Sequence, residues 1–340
     1  MADEVQLELQ SSVDSFFRRS NLTSKHQAEC YDLLAELYPG KPVSPAPCQG
    51  YCSLTIMLGD DAVLQFRPCK YRFDLRMTSA AREVYGTCAP ETKYITTLQS
   101  GLLVYSMERI KGVSLMHMRA SKAMPDDSNR YRARLCRDFA AFLTKSWSRN
   151  ALAKTALGTV GRSIRARMRM LAAKLPRRFR PTARRVFENL HHVEALPWVI
   201  THGDIVAANI MVDPSSGRLT GLVDWAEAET LPFGICLYGL EEMLGEMTPT
   251  GFRFCRDAEY LRTVFWDELK RSIPELGHNH VLEAVKLARD LGVLLWHGIA
   301  FDDGAIDRVV QQGRDIEEIH RLDAFLNISV LPATGTASKL

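Results

Sequence analysis

The chain has 340 residues, a length that favours two domains or lobes over one small core. With 46% hydrophobic and 24% charged residues it has the composition of a globular protein, and a net charge of +3 is too small to indicate a partner for the whole surface. Its longest apolar runs, such as LGVLLWHGIAF, are too short to span a bilayer, and the acidic N-terminus MADEVQLELQSS lacks the apolar region of a secretory signal.

The front third predicts a helical start followed by strands. Residues 12–38 have apolar side chains at helical spacing, and the Pro-rich segment PGKPVSPAPCQG ends that helix. The next segment, YCSLTIMLGDDAVLQFRP, predicts a hairpin with a Gly-Asp-Asp turn. A short helix is expected over 78–87, and LLVYSMERI predicts a strand that ends before Gly112.

From about residue 114 the pattern is typical of helices, including 131–146 and a helix marked by Ile164, Met168 and Leu171. After Pro197 the period changes, and WVITH, NIMVD and LTGLVDW predict short strands, with the turn 214–217 between the last two. The remainder, 238–326, is predicted to be helical. The sequence therefore indicates an α+β fold with a β-rich front, a helical body and a small β cluster that carries polar residues.

The eight cysteines are scattered, without a CxxC pair or zinc-site spacing. They are interpreted as reduced thiols of an intracellular protein, with a Cys48–Cys52 disulfide as the alternative.

Three polar residues surround the predicted β cluster. In THGDIVAANIMVD, Asp204 and Asn209 precede the first strand of the hairpin, and Asp224 ends its second strand. A hairpin returns the chain to its starting end, so the three side chains are expected to meet there. Two carboxylates and an amide oxygen suit a hard cation such as Mg²⁺, and they also suit phosphoryl transfer.

The spacing His-x-Asp-x4-Asn, followed by an Asp at the end of a hairpin, is that of a kinase catalytic loop. With Gly203 in place of the protein-kinase Arg and Asp-Trp in place of Asp-Phe-Gly, it resembles the aminoglycoside phosphotransferase and choline kinase-like family. The resemblance is strong over 198–225 and loose elsewhere. It implies a bilobal protein-kinase-like fold that uses ATP and Mg²⁺.

The resemblance also implies roles for individual residues. Asp204 would be the catalytic base, and His202 would steady the loop. Asn209 and Asp224 would be the metal ligands. Because this family lacks the loop arginine, phosphorylation of an activation loop would not switch it.

In a kinase-like fold, the front hairpin would bind the nucleotide, with Gln49 to Ser53 at the turn that covers the phosphates. The backbone around Glu108 to Ile110 would meet the adenine, and Gly112 would match the family's Gly after this hinge. The domains predicted on this basis are 1–107, a β-rich nucleotide-binding lobe with an extra helix; 108–331, a helical lobe that contains the catalytic loop; and 332–340, a flexible tail.

The sequence departs from the family on the strand VLQFRP. The usual phosphate-binding Lys or Arg is replaced by Gln65, and its usual Glu partner aligns with Ala81. Alternate residues of a strand share a face, so Arg67 lies on the same row as Gln65. We expect Arg67 to supply the missing cation and Glu83 to pair with it; the alternative is that Arg67 is a surface cation.

A second departure follows Asp224, where the chain reads DWAEAETLPFG. In aminoglycoside and choline kinases, acidic residues near this point meet cationic substrates. Glu227 and Glu229, with the adjoining Trp225, are therefore the candidate acceptor contacts. The alternative is that the two glutamates begin a solvated turn.

The segment GRSIRARMRMLAAKLPRRFRPTARRVF is rich in Arg and has no acidic residue. It predicts an amphipathic helix whose apolar residues face the core, and RNA binding is the less favoured alternative. The chain ends in Ser338-Lys339-Leu340, the tripeptide that the peroxisomal import receptor recognises, so a peroxisomal location is expected for a eukaryotic source.

The function predicted from these observations is ATP- and Mg²⁺-dependent phosphorylation of a hydroxyl group on a small molecule. Two alternatives use the same site: an ATP-dependent condensing enzyme, and a binding protein whose grip on phosphate is impaired by Gln65 and Ala81.

Overall fold

The computed structural model describes residues 2–47, 49–121, 128–148, 157–302 and 305–327. Its contacts divide the chain into a first unit, Met1–Glu83 with Ala89–Ile110, and a second unit, Val84–Cys88 with Lys111–Leu340. Cys48 and the C-terminal tripeptide lie outside the described residues, so the alternative disulfide and the peroxisomal address stay predictions.

The first unit contains a five-stranded antiparallel sheet with strand order β1-β2-β3-β5-β4. Its elements in chain order are α1 (Ala2–Arg19), α2 (Ser24–Leu37), β1 (Val43–Pro45), β2 (Leu54–Leu58), β3 (Ala62–Arg67), α3 (Leu75–Tyr85, which ends in the second unit), β4 (Thr92–Thr97) and β5 (Leu103–Glu108). The predicted hairpin is thus confirmed as β2 and β3. The predicted single helix over 12–38 is two helices, because Asn21 takes a left-handed conformation with φ of 55° between them.

Alternation along β2 and β3 decides which face of this sheet is buried against helices. Leu54, Ile56, Leu64 and Phe66 join Phe16 and other residues of α1 and α2 in one apolar cluster. Gln65 and Arg67 alternate with these residues along β3 and therefore lie on the opposite face of the sheet. Burial of this apolar cluster is the main stabilising contribution to the first unit.

The second unit is mostly helical. Its elements are β6 (Val113–Ser114), α4 (Leu115–Ala120), α5 (Ser128–Trp147), α6 (Thr159–Lys174), α7 (Arg180–Glu188), α8 (Leu190–Glu194), β7 (Trp198–Thr201), β8 (Ile210–Val212), β9 (Leu219–Leu222), β10 (Glu229–Pro232), α9 (Tyr238–Leu244), β11 (Gly245–Thr248), β12 (Gly251–Phe254), α10 (Ala258–Ser272), α11 (Asn279–His297), β13 (Ile299–Asp302), β14 (Ala305–Val309) and α12 (Ile316–Leu326). β6, β8 and β9 form one small sheet, and β7 pairs with β10 in another. The three strands predicted after Pro197 are confirmed.

The prediction that 238–326 is entirely helical was wrong, because two hairpins interrupt the helices. In the first, β11–β12, Phe252 and Phe254 alternate onto the ring of Phe325, with ring centroids 4.8 and 6.2 Å away. In the second, β13–β14, Arg308 bonds the carboxylate of Asp302 at 2.6 and 3.0 Å. Alternation over four residues is a weak signal beside long helical periods, which explains the miss.

The Arg-rich segment folds as predicted into α6 and α7. Ile164, Met168 and Leu171 are buried, whereas Arg162, Arg165 and Arg169 are exposed on the other side of α6. This is the pattern of an amphipathic surface helix, so the arginines need no nucleic-acid partner to explain them. Among the described residues, no helix is both long enough and apolar enough to cross a membrane.

Candidate active site

The predicted catalytic loop connects β7 to β8 in the second unit. Strand β7 is buried and pairs with β10, and β8 lies between β6 and β9. Gly112, with φ of +106°, precedes β6; a Cβ there would lie 2.3 Å from the carbonyl oxygen of Val212. The close approach of this backbone to β8 therefore requires glycine, which gives a physical reason for the residue that the sequence comparison singled out.

Asp204 and Asn209 meet directly. The amide nitrogen of Asn209 donates to the Asp204 carboxylate at 2.9 Å and to the Asp204 carbonyl oxygen at 3.0 Å. These two bonds close the loop and fix the orientation of the Asn209 amide. Its nitrogen is engaged in both bonds, so its oxygen is the atom that suits a cation.

Asp224 follows β9 beside Asn209. The N–H of Val223 donates to the carbonyl oxygen of Asn209 at 3.0 Å, which extends the β8–β9 pairing to the end of the loop. Asp224 itself has φ of 60° and ψ of 67°, a left-handed conformation that is uncommon for a residue other than glycine. Backbone strain of this kind is found mainly where the surrounding structure holds a functional side chain in place.

His202 links the loop to the end of β9. Its Nε2 lies 2.8 Å from the carbonyl oxygen of Val223, and its Nδ1 lies 3.2 Å from the Asp204 amide nitrogen. A carbonyl can only accept, so Nε2 carries the proton and Nδ1 accepts. Burial lowers the pKa of His202 to about 4, so the ring is neutral at pH 7. The predicted steadying role agrees with this geometry.

Gly203 has no room for a side chain. Its φ is +79°, and a Cβ would lie 2.2 Å from the carbonyl oxygen of Glu227. The glycine that replaces the protein-kinase arginine is therefore demanded by the backbone of the following segment.

The electrostatics of the loop favour a carboxylate that accepts a proton near neutral pH. Burial, with contributions from the carboxylates of Asp224 and Glu227, raises the pKa of Asp204 to about 7. The hydrogen bond from Asn209 acts in the opposite direction. A general base operates best when its pKa is close to the working pH, so this environment suits the predicted role.

Two residues that the sequence analysis did not single out, Tyr238 and Cys236, support the catalytic loop. The hydroxyl oxygen of Tyr238 accepts the N–H of Ile205 at 3.0 Å. Burial raises the pKa of the Cys236 thiol, while the backbone N–H groups of Gly203 and His202 oppose that shift by hydrogen bonding. The sequence offered one signal for these residues. Cys236 and Tyr238 follow Pro232-Phe233-Gly234, near the place where the family usually has an acidic residue after a proline.

The donor set fits a magnesium ion. Asn209 and Asp224 offer an amide oxygen and a carboxylate, ligand types that suit Mg²⁺, and Asp204 lies beside Asn209 as the predicted base. Groups of three or more His, Cys, Asp or Glu that could hold a metal do not occur in the described residues, so the ligand set here depends on the asparagine.

One of the predicted acceptor contacts after Asp224, Trp225, needs correction. Trp225 is buried, donates its indole N–H to the Leu222 carbonyl oxygen at 2.9 Å, and lies 4.6 Å from His202 between ring centroids. It is a packing residue next to the catalytic loop. Glu227 is exposed, and its contact with an acceptor stays a prediction.

Glu229 is also a structural residue. Its carboxylate is buried and accepts the N–H of Val160 at 3.1 Å and that of Gly161 at 2.7 Å, at the first turn of α6. Acidic side chains stabilise helix N-termini because they accept hydrogen bonds from unpaired N–H groups and interact favourably with the positive end of the helix dipole. Burial nonetheless raises the pKa of Glu229.

In the first unit, Gln65 and Arg67 share a face as the strand alternation predicted. Arg67 is 1% exposed, so it is not a surface cation. Its Nη1 donates to Gln65 Oε1 at 2.6 Å, its Nε donates to the Tyr71 carbonyl oxygen at 2.7 Å, and its guanidinium lies 4.2 Å from the centre of the Phe73 ring. The guanidinium therefore has a fixed position.

For the other predicted nucleotide contacts, the structure shows the position of each residue but not a nucleotide contact. Glu83 is exposed on α3, and its pairing with Arg67 stays a prediction. The neighbouring Arg82 forms an ion pair with Glu108 at 2.6 Å. The N–H of Glu108 donates to the carbonyl oxygen of Glu91, and that of Arg109 donates to the carbonyl oxygen of Asp61. The N–H of Ile110 is therefore the remaining amide of the segment predicted to meet the adenine.

The fold and the Asp204 loop define a phosphotransferase of the protein-kinase-like class, and comparison with known proteins agrees. Residues 75–233 match the APH phosphotransferase enzyme family, a segment that covers a little under half of the chain and includes the whole loop. This match confirms the predicted resemblance to the aminoglycoside phosphotransferase family. No functionally curated protein matches the chain.

Two solved structures show the same fold. One is the GDP and kanamycin complex of APH(2")-IIia, at 14% identity over 78% of this chain and 90% of that chain, with a TM-score of 0.54. The other is the GDP complex of a mutant aminoglycoside 2'-phosphotransferase-IIIa, at 13% identity over 78% and 88%, with a TM-score of 0.52. The protein-kinase-like fold is thus established, and the family match supports a small-molecule kinase.

Proposed function

We propose that this protein transfers a phosphoryl group from ATP, in the presence of Mg²⁺, to a hydroxyl group of a small molecule. The observation that carries the proposal is the hydrogen-bonded pair of Asp204 and Asn209, with the left-handed Asp224 fixed beside it by the Val223 hydrogen bond. Carboxylate, amide and carboxylate in this order are the side chains that phosphoryl transfer requires.

Each residue has a distinct task in this proposal. Asp204 orients the acceptor hydroxyl and takes its proton as the oxygen attacks. Asn209 and Asp224 hold the metal, and Mg²⁺ when bound neutralises charge on the phosphate oxygens. His202 stays neutral and fixes the loop against the end of β9.

Arg67 is the candidate cation for the nucleotide phosphates. The family's usual residue is replaced by Gln65, and the Gln65 carboxamide instead orients the Arg67 guanidinium through a 2.6 Å hydrogen bond. Arginine recognises phosphate oxygens with paired N–H groups, so this role requires the buried Arg67 guanidinium to become accessible to the nucleotide.

The test is calorimetric titration of MgATP into the wild-type protein and into Asp224→Ala. We expect Mg²⁺-dependent binding to the wild type and at least tenfold weaker binding to the variant. Asp213→Ala is the matched control, because Asp213 lies in the β8–β9 turn and its carboxylate accepts from Ser215 and Ser216. Failure of the wild type to bind any nucleotide would leave the alternative of an impaired binding protein.

GTP is the second donor to titrate, because both solved relatives described above are GDP complexes. The acceptor is then sought by mass spectrometry of hydroxylated small molecules incubated with the protein and the preferred nucleotide. A product heavier by one phosphoryl group supports the proposal. Appearance of an amide or ester with release of phosphate would identify the condensing enzyme instead.

A further inference from the structure

A polar cavity lies in the second unit, and its lining includes none of the residues assigned to catalysis. It measures about 120 Å³ and is lined by residues of α4, α5, the last turn of α9 and β11. Leu115, Leu135 and Met243 form its apolar wall, and Arg119, Arg132 and Glu246 are among its polar residues.

Arg119 is held in this cavity by backbone groups. Its Nη2 donates to the carbonyl oxygens of Glu242 and Met243, both at 2.9 Å, at the last turn of α9. Burial lowers the pKa of the Arg119 guanidinium, although an arginine keeps its charge at any physiological pH. The anchor orients the guanidinium and leaves it a cation, because backbone carbonyls carry no net charge.

Arg132 adds a second positive charge on α5. The two charges are close enough that Arg132 contributes to lowering the pKa of Arg119. In the parts of the chain that the structure describes, no hydrogen bond or ion pair engages the Arg132 guanidinium. Glu246 is the acidic residue of the lining, and its carboxylate already pairs with Arg253 at 2.9 Å. Two neighbouring cations with a shared and occupied counter-charge attract an anion.

We propose that this cavity binds the oxyanion of a phosphate group. Guanidinium groups present pairs of N–H donors that match phosphate oxygens. The oxyanion is either a free ion or part of a small organic molecule, whose carbon portion would lie on the Leu115, Leu135 and Met243 wall. The proposal does not depend on the phosphotransferase reaction.

The experiment titrates the full-length protein with inorganic phosphate, without nucleotide or Mg²⁺, by calorimetry and by thermal unfolding. We expect binding to the wild type and at least tenfold weaker binding to Arg132→Gln. Arg134→Gln is the matched control, because Arg134 is an exposed cation on the same helix outside the cavity. Arg132→Lys is expected to recover part of the affinity. Arg119 is left intact because it also anchors α9.

Asp224→Ala separates this cavity from the proposed nucleotide site. Phosphate binding that survives Asp224→Ala and is lost in Arg132→Gln supports the cavity, whether or not MgATP binds. Equal affinity of Arg132→Gln and the wild type overturns the proposal, as does a wild type that binds neither phosphate nor glycerol 3-phosphate. Tighter binding of glycerol 3-phosphate assigns the site to an organic phosphate, and tighter binding of inorganic phosphate assigns it to the free ion.

Discussion

The Asp204 loop of the second unit and the Arg67 row of the first unit carry their polar groups in opposite ways. The loop retains the His, Asp and Asn of the pattern that it resembles, and hydrogen bonds among its own side chains and backbone fix those residues within one stretch of chain. The strand row has lost the usual cation at Gln65. Its guanidinium comes from two residues further along and is held by Tyr71 and Phe73 from the next segment.

The difference indicates that a required backbone conformation constrains a residue's place in the sequence more than the placement of a charge does. Gly203 and Asp224 need particular backbone conformations, so their places in the sequence are fixed. A phosphate-binding cation needs only to place its charge. A long side chain on the same face of a strand can do that from a neighbouring position, as Arg67 is expected to do.

Asp204→Asn is expected to have the largest effect. The substitution preserves shape but removes the base, and loss of a positioned base typically lowers the rate by about 10² to 10⁴. The measurement is turnover with the identified acceptor, with circular dichroism to check folding. Asp213→Asn, in the exposed turn, should retain wild-type turnover. Asp204→Asn activity close to wild type would remove Asp204 from the proposed role.

Gly203→Ala tests whether backbone geometry fixes the loop. A left-handed alanine costs about 1–2 kcal/mol, and the 2.2 Å approach to the Glu227 carbonyl adds an overpacking cost of about 1–3 kcal/mol. The free energy of unfolding is measured by chemical denaturation. Gly313→Ala is the control, because Gly313 has φ of +84° but no atom within 4 Å of the added Cβ. Equal destabilisation by the two substitutions would contradict the predicted clash.

Glu229→Ala distinguishes structural support from acceptor contact. Its carboxylate holds two N–H groups at the start of α6, so the variant should lose about 1–2 kcal/mol of unfolding free energy. The Michaelis constant for the acceptor should change little. Glu227→Ala, two residues away and exposed, is the control for stability. An unchanged unfolding free energy together with a raised Michaelis constant for the acceptor would restore the original prediction that Glu229 contacts the substrate.

Arg67→Lys is expected to have the smallest effect and addresses the first unit. The variant keeps the charge but loses the paired N–H groups, so MgATP affinity should fall by about tenfold, equivalent to about 1.4 kcal/mol. Arg76→Lys provides a control in the same unit, since Arg76 is exposed and pairs with Asp74. An Arg67→Lys affinity equal to that of Arg76→Lys would exclude Arg67 from phosphate binding.

Much of the fold was predictable because its signals are local. Strand alternation predicted β2, β3 and the shared face of Gln65 and Arg67, and the spacing of Asp204, Asn209 and Asp224 predicted which residues meet. These predictions depend on periods of two residues and on a hairpin of known length. Neither requires knowledge of distant packing.

The missed features depend on contacts between distant parts of the chain. Glu229 is acidic in a polar segment, and only the tertiary structure shows that α6 begins 70 residues earlier at its carboxylate, with Val160 and Gly161 as donors. Trp225 likewise follows Asp224, the predicted metal ligand, but is covered by the rings of Tyr85 and Phe142. Sequence proximity to a site cannot separate a contact residue from a supporting one.

The absence of room at Gly203 also limits how this protein can change over generations. An arginine at that position would meet the Glu227 carbonyl, so the substitution that gives protein kinases their phosphate-sensing loop is closed to this backbone. A lineage with this loop would have to rebuild the segment after Asp224 before it gained such control.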